Sequence, residues 1–464
     1  MPKNAEIEQT EIEVLYELPE GWKWTRLGDC SSVISKGTTP KGGKDAYLKE
    51  GVNFLRIENL NEDGSINLSN ISHISIEEHE GNLKRSILEE GDLLISIAGT
   101  LGKVGFVTKS DLPMNTNQAI AFIRLHKDIF DNMYLKYAIE SPFVNAELLA
   151  KTKVTSIPNL TLEIISNCLI PLPPTLTEQQ RIVNRIETMF AKLDQAQEKA
   201  QSVLDSFEPR KAAILHKAFT GELTANWRKE NNPEESSKYL EKIKDKVEIR
   251  LDFKYWENTK LPESWCESTI GNLLYFAGRV GWKGLKAEEY TSEGPILLSV
   301  YNLNDGDEVS FNKINHITNE RYDESPEIMV RKNDILLTKD GAGIGKLGYV
   351  NELPEKATIN SSLLLIRPGD VANYKFIFYL LSGPALQNIV KERITGSATP
   401  HLFQRDIKEF VLPVPSLPEQ QEIVRILDTV LEKEFRAKEA AQTVLDQIAL
   451  LKKSILARAF RGEL

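Results

Sequence analysis

The segment Ala218-Phe219-Thr220-Gly221-Glu222-Leu223 returns 241 residues later as Ala459-Phe460-Arg461-Gly462-Glu463-Leu464. A second pair, Leu18-Pro19-Glu20-Gly21-Trp22 and Leu261-Pro262-Glu263-Ser264-Trp265, is separated by 243 residues. The paired motifs keep their order along the chain, and the offset drifts by only two residues. The 464-residue chain is therefore a tandem repeat of two similar halves.

Each half contains a segment of about 40 residues in which apolar side chains follow a heptad pattern. The segments begin at Leu176-Thr177-Glu178-Gln179-Gln180 and at Leu417-Pro418-Glu419-Gln420-Gln421. Spacings of four and three alternate over four or more heptads, which predicts two long helices whose apolar stripes face each other. An ordinary core helix is the alternative. The pattern is broken only at Glu434. The predicted stripe positions are Ile182, Ile186, Met189, Leu193, Ala196, Ala200, Val203, Phe207, Ile423, Leu427, Val430, Glu434, Ala437, Ala441, Val444, Ile448, Leu451 and Ile455.

Proline and glycine mark where these helices should bend and stop. We expect Pro209 to kink or interrupt the first helix, because proline lacks the backbone N–H and its ring crowds the preceding turn. Gly221 and Gly462 are typical of helix ends. The polar segment 231–237 predicts a linker between the halves, and 238–250 predicts a short charged helix.

The rest of each half consists of short runs rich in Val, Ile, Leu and Phe that are separated by turn residues. This pattern predicts an α+β block dominated by sheet. Predicted strands are 52–57, 92–97, 105–108, 119–125, 167–170, 296–300, 334–338 and 362–367, and predicted helices are 134–149 and 375–393. The predicted divisions are a block at 1–175, a helix at 176–223, a linker at 224–255, a second block at 256–415 and a second helix at 416–464.

Composition restricts the class of protein. Hydrophobic residues make up 41% and charged residues 27%, as in ordinary globular proteins. The chain has no apolar run long enough to span a membrane, and its acidic start lacks a signal-peptide pattern. Three scattered cysteines form no CxxC pair and no disulfide framework. We therefore expect a cytoplasmic protein without a structural zinc site.

The formal net charge of −10 argues against nucleic acid at first sight, because binding phosphates requires clustered Lys and Arg. Two basic, glycine-rich loops nevertheless occupy matching places, at 36–44 and 279–286. Small residues allow close approach and the cations suit phosphate, although solvated surface loops are the alternative. The candidate DNA contacts in these loops are Lys36, Thr38, Lys41, Lys44, Arg279, Lys283 and Lys286.

Glycine-bearing loops form a second group of candidates. Gly343-x-Gly345-x-x-Gly348 matches a dinucleotide fingerprint, but a strand-like sequence follows where that motif requires a helix. Neither copy has the Ser or Thr that a P-loop places after its lysine. We predict hairpins that serve either the fold alone or contact with a nucleic-acid backbone through lysine. The candidate lysines here are Lys103, Lys339 and Lys346.

Polar loops supply the remaining candidates. Asn117 and its neighbours offer amide groups suited to base edges, but capping of turns explains them equally well. Two further polar loops, at 151–156 and 393–401, precede the last strand of each block. Their candidate DNA contacts are Lys151, Lys153, Ser397 and His401.

Catalysis has little support in the sequence. The six histidines are scattered, and the chain has no HExxH or GxSxG motif and no carboxylate set with metal-ligand spacing. We expect no catalytic residue, no metal and no cofactor.

Taken together, these motifs resemble the specificity subunit of type I restriction-modification enzymes along nearly the whole chain. The resemblance rests on the paired segments at 18–22 and 261–265, 91–95 and 333–337, 171–180 and 413–421, and 218–223 and 459–464. Arg56 matches an arginine that is frequent in that family, whereas the second copy has Ser299 at this place.

The resemblance implies two target-recognition domains, each recognising half of a split sequence in double-stranded DNA. It implies that the two helices pack antiparallel as a coiled-coil spacer with pseudo-twofold symmetry. It also implies partners, namely two modification subunits that methylate adenine and, optionally, restriction subunits. The heptads alone do not give the direction of the helices.

The sequence thus favours a non-catalytic subunit that recognises DNA. A two-lobed scaffold that binds proteins is the main alternative, and a fused two-lobed enzyme is a third hypothesis. Salt-sensitive, sequence-dependent DNA binding separates the first hypothesis from the second.

Overall fold

A computed structural model of the chain describes residues 16–126, 129–150, 159–240, 259–279, 285–303, 307–341, 343–394, 401–402 and 407–464. The chain divides into two compact units. Unit 1 comprises 1–201 and 441–464, and unit 2 comprises 202–440. Each unit therefore contains one globular block together with parts of both long helices.

Unit 1 contains nine strands in its described part. They are β1 (Lys23–Arg26), β2 (Ser31–Lys36), β3 (Val52–Leu55), β4 (Ser72–Ile74), β5 (Leu93–Ser96), β6 (Val104–Phe106), β7 (Met114–Thr116), β8 (Ile120–Leu125) and β9 (Leu169–Leu172). Its helices are α1 (Ile76–Glu80), α2 (Asn132–Glu140), α3 (Pro142–Ala150), α4 (Leu162–Ser166) and part of α5 (Leu176–Phe219).

Unit 2 repeats this order of strands. Its described strands are β10 (Cys266–Thr269), β11 (Leu274–Gly278), β12 (Thr291–Leu298), β13 (Asn315–His316), β14 (Ile335–Thr338), β15 (Leu347–Tyr349), β16 (Ala357–Ile359), β17 (Leu363–Pro368) and β18 (Val411–Val414). Its helices are the rest of α5, α6 (Ala225–Asn231), α7 (Ser237–Leu240), α8 (Ile270–Leu273), α9 (Asn319–Asp323), α10 (Tyr374–Ser382), α11 (Pro384–Ile394) and part of α12 (Leu417–Ala459).

The sheets of the two units have the same topology. Unit 1 has an antiparallel sheet of order β2-β8-β5-β6, a mixed sheet of order β4-β3-β7 and the pair β1-β9. Unit 2 has β11-β17-β14-β15, β13-β12-β16 and β10-β18. The tandem repeat and the α+β class predicted from the sequence are confirmed.

The central sheet of unit 1 is buried on both faces. Leu93 and Ile95 of β5 belong to the cluster that includes α2 and the long helices. Leu94, between them, belongs to a separate cluster with Leu55 and Met114 of the mixed sheet. Alternate side chains of a strand point to opposite faces, so β5 contributes to two hydrophobic cores. Because both of its faces are buried, its sequence is a continuous apolar run.

The predicted strands are confirmed with small shifts at their ends, but the two predicted block helices are each two helices. The break falls at Ser141-Pro142 between α2 and α3, and at Gly383-Pro384 between α10 and α11. Proline is unfavourable within a helix but is well suited to its first turn, which explains a new helix starting at each proline.

The two long helices are confirmed, with 44 residues in α5 and 43 in α12. Their direction can be seen within each unit. In unit 2, Phe207 lies beside Lys438 and the later residue Arg210 pairs with the earlier residue Glu434. In unit 1, Asp194 pairs with Lys452. The helices are therefore antiparallel, as the resemblance implies.

The predicted stripe of α12 is wrong at three positions. Ala437, Val444 and Leu451 are exposed, whereas positions 438, 445 and 452, one residue further on, contribute to packing. Two of these are lysines. The ammonium of Lys438 lies 4.5 Å from the ring centroid of Phe207, and that of Lys452 lies 5.5 Å from that of Phe190. Their aliphatic stems cover apolar surface while the charged ends reach water, so a search for apolar residues misses them.

Pro209 does not interrupt α5, so of the two predicted effects, a kink or an interruption, the interruption is wrong. The helix runs from Leu176 to Phe219 with this residue on its exposed side. Phe207 and Leu215 on either side are buried, and this packing offsets the roughly 3 kcal/mol that a proline costs within a helix.

The linker between the halves is partly helical. α6 covers 225–231 and α7 covers 237–240, whereas the rest of the predicted charged helix, 241–250, lies outside the described residues. Arg228 of α6 binds the carboxylate of Glu419 at the start of α12, which also accepts a hydrogen bond from Thr224 at 2.8 Å. No helix in the described part of the chain is long and apolar enough to cross a lipid bilayer.

The repeated Glu-Gln-Gln motifs hold the long helices to the blocks. The buried side chain of Gln179 accepts a hydrogen bond from the backbone N–H of Asp131 at 2.8 Å and donates to the carbonyl of Ile129 at 3.0 Å. Gln420 makes the same bonds to Asn373 and Val371. Each glutamine thereby fixes the start of α2 or α10 against a long helix.

Candidate nucleic-acid interface

The topology of unit 1 brings four connections to one edge of its sheets. β2 and β5 both run antiparallel to β8, so the ends of β2 and β5 meet the beginning of β8. β3 and β7 are parallel and end together. The predicted contacts Lys36, Arg56, Lys103 and Asn117 belong to these connections and therefore lie at the same edge.

The basic loop after β2 packs directly on the turn before β8. Gly37 lies so close to the carbonyls of Thr116 and Asn117 that a Cβ would collide with both. The backbone N–H of Thr38 donates to the carbonyl of Thr116 at 3.0 Å. Asn117 caps its own turn by accepting a hydrogen bond from the N–H of Ala119 at 3.1 Å. This loop is therefore fixed by backbone contacts, while Lys36 and Lys41 remain exposed.

Arg85 belongs to this edge, although no pattern in the sequence selects it. Its Nε donates to the Thr38 hydroxyl at 3.0 Å, and the residue is exposed. Thr39 forms a hydrogen bond to Gln118, so the loop is joined to both flanking connections. Arg85 comes from the segment between α1 and β5, where charged, polar and apolar residues are mixed without a regular period.

Arg56 and Lys103 are already engaged within unit 1. Arg56 pairs with Glu58 at 2.9 Å and lies 5.8 Å from the ring centroid of Tyr47. The ammonium of Lys103 donates to the carbonyl of Leu60. Lys103 thus has a structural bond that sequence reasoning did not foresee, and Arg56 keeps about 29% of its side chain exposed.

Unit 2 presents the equivalent edge with different chemistry. Lys339 follows β14 and pairs with Asp340 at 2.7 Å, and Asp340 also contacts the ring of His401. Lys346 is exposed on the hairpin between β14 and β15. That hairpin contains the Gly343-x-Gly345-x-x-Gly348 motif, which confirms the predicted hairpin and explains its glycines, since Gly345 has a φ of +87°.

Tyr301 is a second residue that the sequence did not reveal. It follows β12 and is 62% exposed, with the ammonium of Lys313 5.7 Å from its ring centroid. Its neighbour Val300 lies against Gly343 of the hairpin. Exposed aromatic rings beside cations suit contact with nucleotides, but a lone tyrosine in a sequence gives no such signal.

The sequence suggested that Arg279 lies on a surface loop, but the residue is buried. It is 4% exposed, and its guanidinium donates to the carbonyl of Ile359 at 3.0 Å and to the hydroxyl of Thr358 at 3.1 Å. Burial and the nearby Arg321 lower the pKa of this guanidinium. Its hydrogen bonds hold the end of β11 to β16, so Arg279 stabilises the edge and does not itself lie on its surface.

The other candidates are separate or lie outside the described residues. Lys286 is exposed, and its backbone N–H donates to Glu289, which pairs with Arg321. The side chain of Lys44 and the whole of Lys151, Lys153, Lys283 and Ser397 lie outside the description. Among the described residues, no group of three or more His, Cys, Asp or Glu side chains could hold a metal ion.

Comparison with protein families identifies the family of the chain that carries these two edges. The model of the type I restriction modification DNA specificity domain matches residues 19–204 and 282–445, which cover both halves. The chain belongs to the family of type I restriction-modification specificity subunits. The matched residues cover most of both blocks and most of both long helices, as the repeat predicted.

Relatives from two organisms match along nearly the whole specificity subunit. The chain is 26% identical to the type I restriction enzyme EcoBI specificity subunit of Escherichia coli, over 95% of this chain and 86% of that protein. It is 23% identical to the MjaVIII specificity subunit of Methanocaldococcus jannaschii, over 96% of this chain and 94% of that protein.

Two solved structures show the same fold. The HsdS subunit from Thermoanaerobacter tengcongensis has a TM-score of 0.60 at 20% identity and covers 98% of this chain and 100% of that one. A chain from a study of assembly and conformational transition of the type I R-M system has a TM-score of 0.71 at 19% identity, over 97% of this chain and 100% of that one. At these identities the likeness supports the fold of this specificity subunit.

Proposed function

We propose that this specificity subunit recognises a bipartite DNA sequence, with one half-site read by each globular block. The observation that carries the proposal is the occurrence of equivalent loop edges in both units with different exposed side chains. Unit 1 offers Lys36 and Arg85, whereas unit 2 offers Tyr301 and Lys346. Two similar frames with different contact chemistry suit two different half-sites.

The blocks at 1–175 and 256–415 are the proposed target-recognition domains, and the helices at 176–223 and 416–464 are the proposed spacer. The edges carry mixtures of cations and amide or hydroxyl groups, which suit phosphates and base edges respectively. The acidic balance of the chain agrees with a complex in which partner subunits supply further cations around the duplex.

The proposed partners are two modification subunits, which would carry the methylation of adenine, and optionally restriction subunits. The exposed apolar side chains of α12 support docking of a protein on this helix. Leu450 is 67% exposed and Leu451 49% exposed, and Val444 lies two turns earlier on the side of Leu451. The specificity subunit would itself be non-catalytic and would act in the cytoplasm, where the DNA is.

The experiment is co-expression with the modification subunit, followed by mapping of methyladenine across the host genome with single-molecule sequencing. We expect a split motif with methyladenine on both strands. The variant Lys36→Ala/Arg85→Ala should reduce methylation or relax the sequence of one half-site only. Lys23→Ala is the matched control, because this exposed lysine lies on β1, outside both sheets that form the edge.

A motif of a single uninterrupted block would contradict the proposal, as would relaxed sequence preference in both half-sites of the unit 1 variant. If the proteins copurify but neither methylation nor salt-sensitive DNA binding is found, the scaffold hypothesis replaces DNA recognition. At six to ten phosphate contacts, DNA affinity should fall roughly 10³- to 10⁵-fold between 50 and 200 mM salt.

A further inference from the structure

An arginine–aspartate pair occurs at the same place in both units, at the end of the sheet opposite the proposed DNA edge. In unit 1, Arg124 follows β8 residue Ile123 and donates from Nε and Nη2 to the two oxygens of Asp92, at 2.9 and 2.8 Å. In unit 2, Arg367 does the same to Asp334, at 2.7 and 2.6 Å. Both aspartates are fully buried.

The remaining nitrogen of this arginine has different surroundings in the two units. In unit 1, Nη1 of Arg124 pairs with the carboxylate of Glu89 at 2.6 Å. The residue at this place in unit 2 is Arg331. The backbone is unchanged, since the N–H of Glu89 and that of Arg331 both donate to the aspartate, at 2.8 and 2.7 Å.

Unit 2 therefore lacks the internal anion that unit 1 possesses. Within the described part of the chain, Nη1 of Arg367 makes no hydrogen bond, and the exposed side chains of Arg331 and Lys332 make no hydrogen bond or ion pair. Unit 1 has Glu89 and Glu90 where unit 2 has Arg331 and Lys332. With the arginine–aspartate pair neutral, the local charge changes from −2 to +2.

A cavity of about 320 Å³ lies at this place in unit 2. Arg331, Lys332 and Arg367 line it, together with Gly369, Asn373 and Tyr374. Its volume is at the lower end of the range for small-molecule sites. Asp334 and the carbonyl of Met329, which accepts a hydrogen bond from Nη2 at 2.8 Å, hold Arg367 in place without a ligand. A fixed guanidinium loses little conformational entropy when it binds an oxyanion.

We propose that this cavity is an oxyanion site of unit 2 that takes a phosphate monoester or free phosphate. The oxygens would occupy the place that the Glu89 carboxylate holds in unit 1, bound by Nη1 of Arg367 and by Arg331. A dianion matches the local charge of +2, and the guanidinium of Arg331 can bind phosphate oxygens in a bidentate manner while Arg367 contributes Nη1. The site is independent of the DNA edge, which lies at the other end of β14 and β17.

The test is calorimetric titration of the full-length chain with inorganic phosphate and, separately, with methyl phosphate, at constant ionic strength. The variant Arg331→Glu places in unit 2 the carboxylate that unit 1 already has, so the fold should accept it. We expect saturable binding to the wild type and at least tenfold weaker binding to Arg331→Glu. Lys356→Glu is the control, with the same change of charge on an exposed residue outside the cavity, and it should bind like the wild type.

The reciprocal variant Glu89→Arg provides a second readout that does not depend on loss of function. It removes the Glu89 carboxylate from Nη1 of Arg124 in unit 1. The number of phosphate ions bound per chain should therefore rise from one in the wild type to two in the variant. Equal phosphate affinity in the wild type and Arg331→Glu would overturn the proposal, as would absence of saturable binding to the wild type. Displacement of phosphate by short duplex DNA with an Arg331-dependent affinity would also overturn it, because the cations would then serve the DNA backbone.

Discussion

Gly462 packs against the ring of Pro19 so closely that a Cβ on the glycine would collide with the proline. Gly221 and Pro262 have the same relationship, with 2.5 Å between an added Cβ and Cγ of the proline. Both glycines have positive φ, +74° and +80°. The motif that ends each long helix is thus held against the motif that opens a globular block, which explains why both motifs occur twice.

Gly462→Ala should lower the melting temperature more than Gly91→Ala. Both residues have positive φ, which costs roughly 1–2 kcal/mol for alanine, but nothing lies within 4 Å of a Cβ at Gly91. The collision with Pro19 should add roughly 1–3 kcal/mol. Scanning calorimetry of the two variants measures the difference. Equal shifts would show that Pro19 moves aside without cost.

Gln420→Ala should destabilise unit 2, whereas Gln421→Ala should not. Gln420 is buried and makes three hydrogen bonds, to Asn373, Val371 and Pro415, while Gln421 is exposed. Each buried partner left without a hydrogen bond costs about 1–3 kcal/mol. Hydrogen exchange at the Asn373 amide should increase in the first variant alone, and unchanged protection there would refute a role in holding α10.

Arg228→Ala should be among the most destabilising changes in unit 2. It leaves the carboxylate of Glu419, which is 0% exposed, with Thr224 as its remaining partner, and an unpaired buried charge costs about 3–5 kcal/mol. The double variant Arg228→Ala/Glu419→Gln should recover much of the loss. Arg436→Ala, which breaks an exposed pair with Glu432, is the control and should change the melting temperature little. A double variant no more stable than the single one would exclude this explanation.

Much of the fold could be predicted because repetition and periodicity are properties of the sequence itself. The two long helices follow from apolar residues at fixed spacing, and the duplicated motifs show that one architecture occurs twice. The direction of the helices required contacts such as that of Asp194 with Lys452, which no spacing encodes. The stripe of α12 was displaced because lysine stems pack like apolar side chains when their ends reach water.

Lys452→Ala should destabilise unit 1 by about 1 kcal/mol, through loss of packing on Phe190 and of the pair with Asp194. Lys453→Ala is the matched control, since this neighbour is exposed. Thermal melting at low and high salt separates the two contributions, because screening weakens the ion pair but leaves the packing. Identical melting temperatures of the two variants would show that Lys452 does not contribute to packing, as the stripe of apolar residues alone predicts.

The candidate site was predictable in outline but not in its individual side chains. The basic loop at 36–44 stands out because glycines and cations are concentrated there. Arg85 and Tyr301 reach the same kind of edge only through the pairing of strands distant in sequence. Arg279 shows the opposite error, since a cation at the end of a strand can be buried by bonds to a neighbouring strand.

Unit 1 is assembled from the beginning and the end of the chain, whereas unit 2 is one continuous stretch. A ribosome that has reached residue 440 has synthesised all of unit 2 but not the segment with Leu456 and Phe460 that unit 1 buries. During translation, unit 2 is therefore complete before unit 1, although the globular block of unit 1 is translated first. Until residues 441–464 have been synthesised, the block translated first exposes the apolar surface that Leu456 and Phe460 will cover, which makes that block the one in need of protection in the nascent chain.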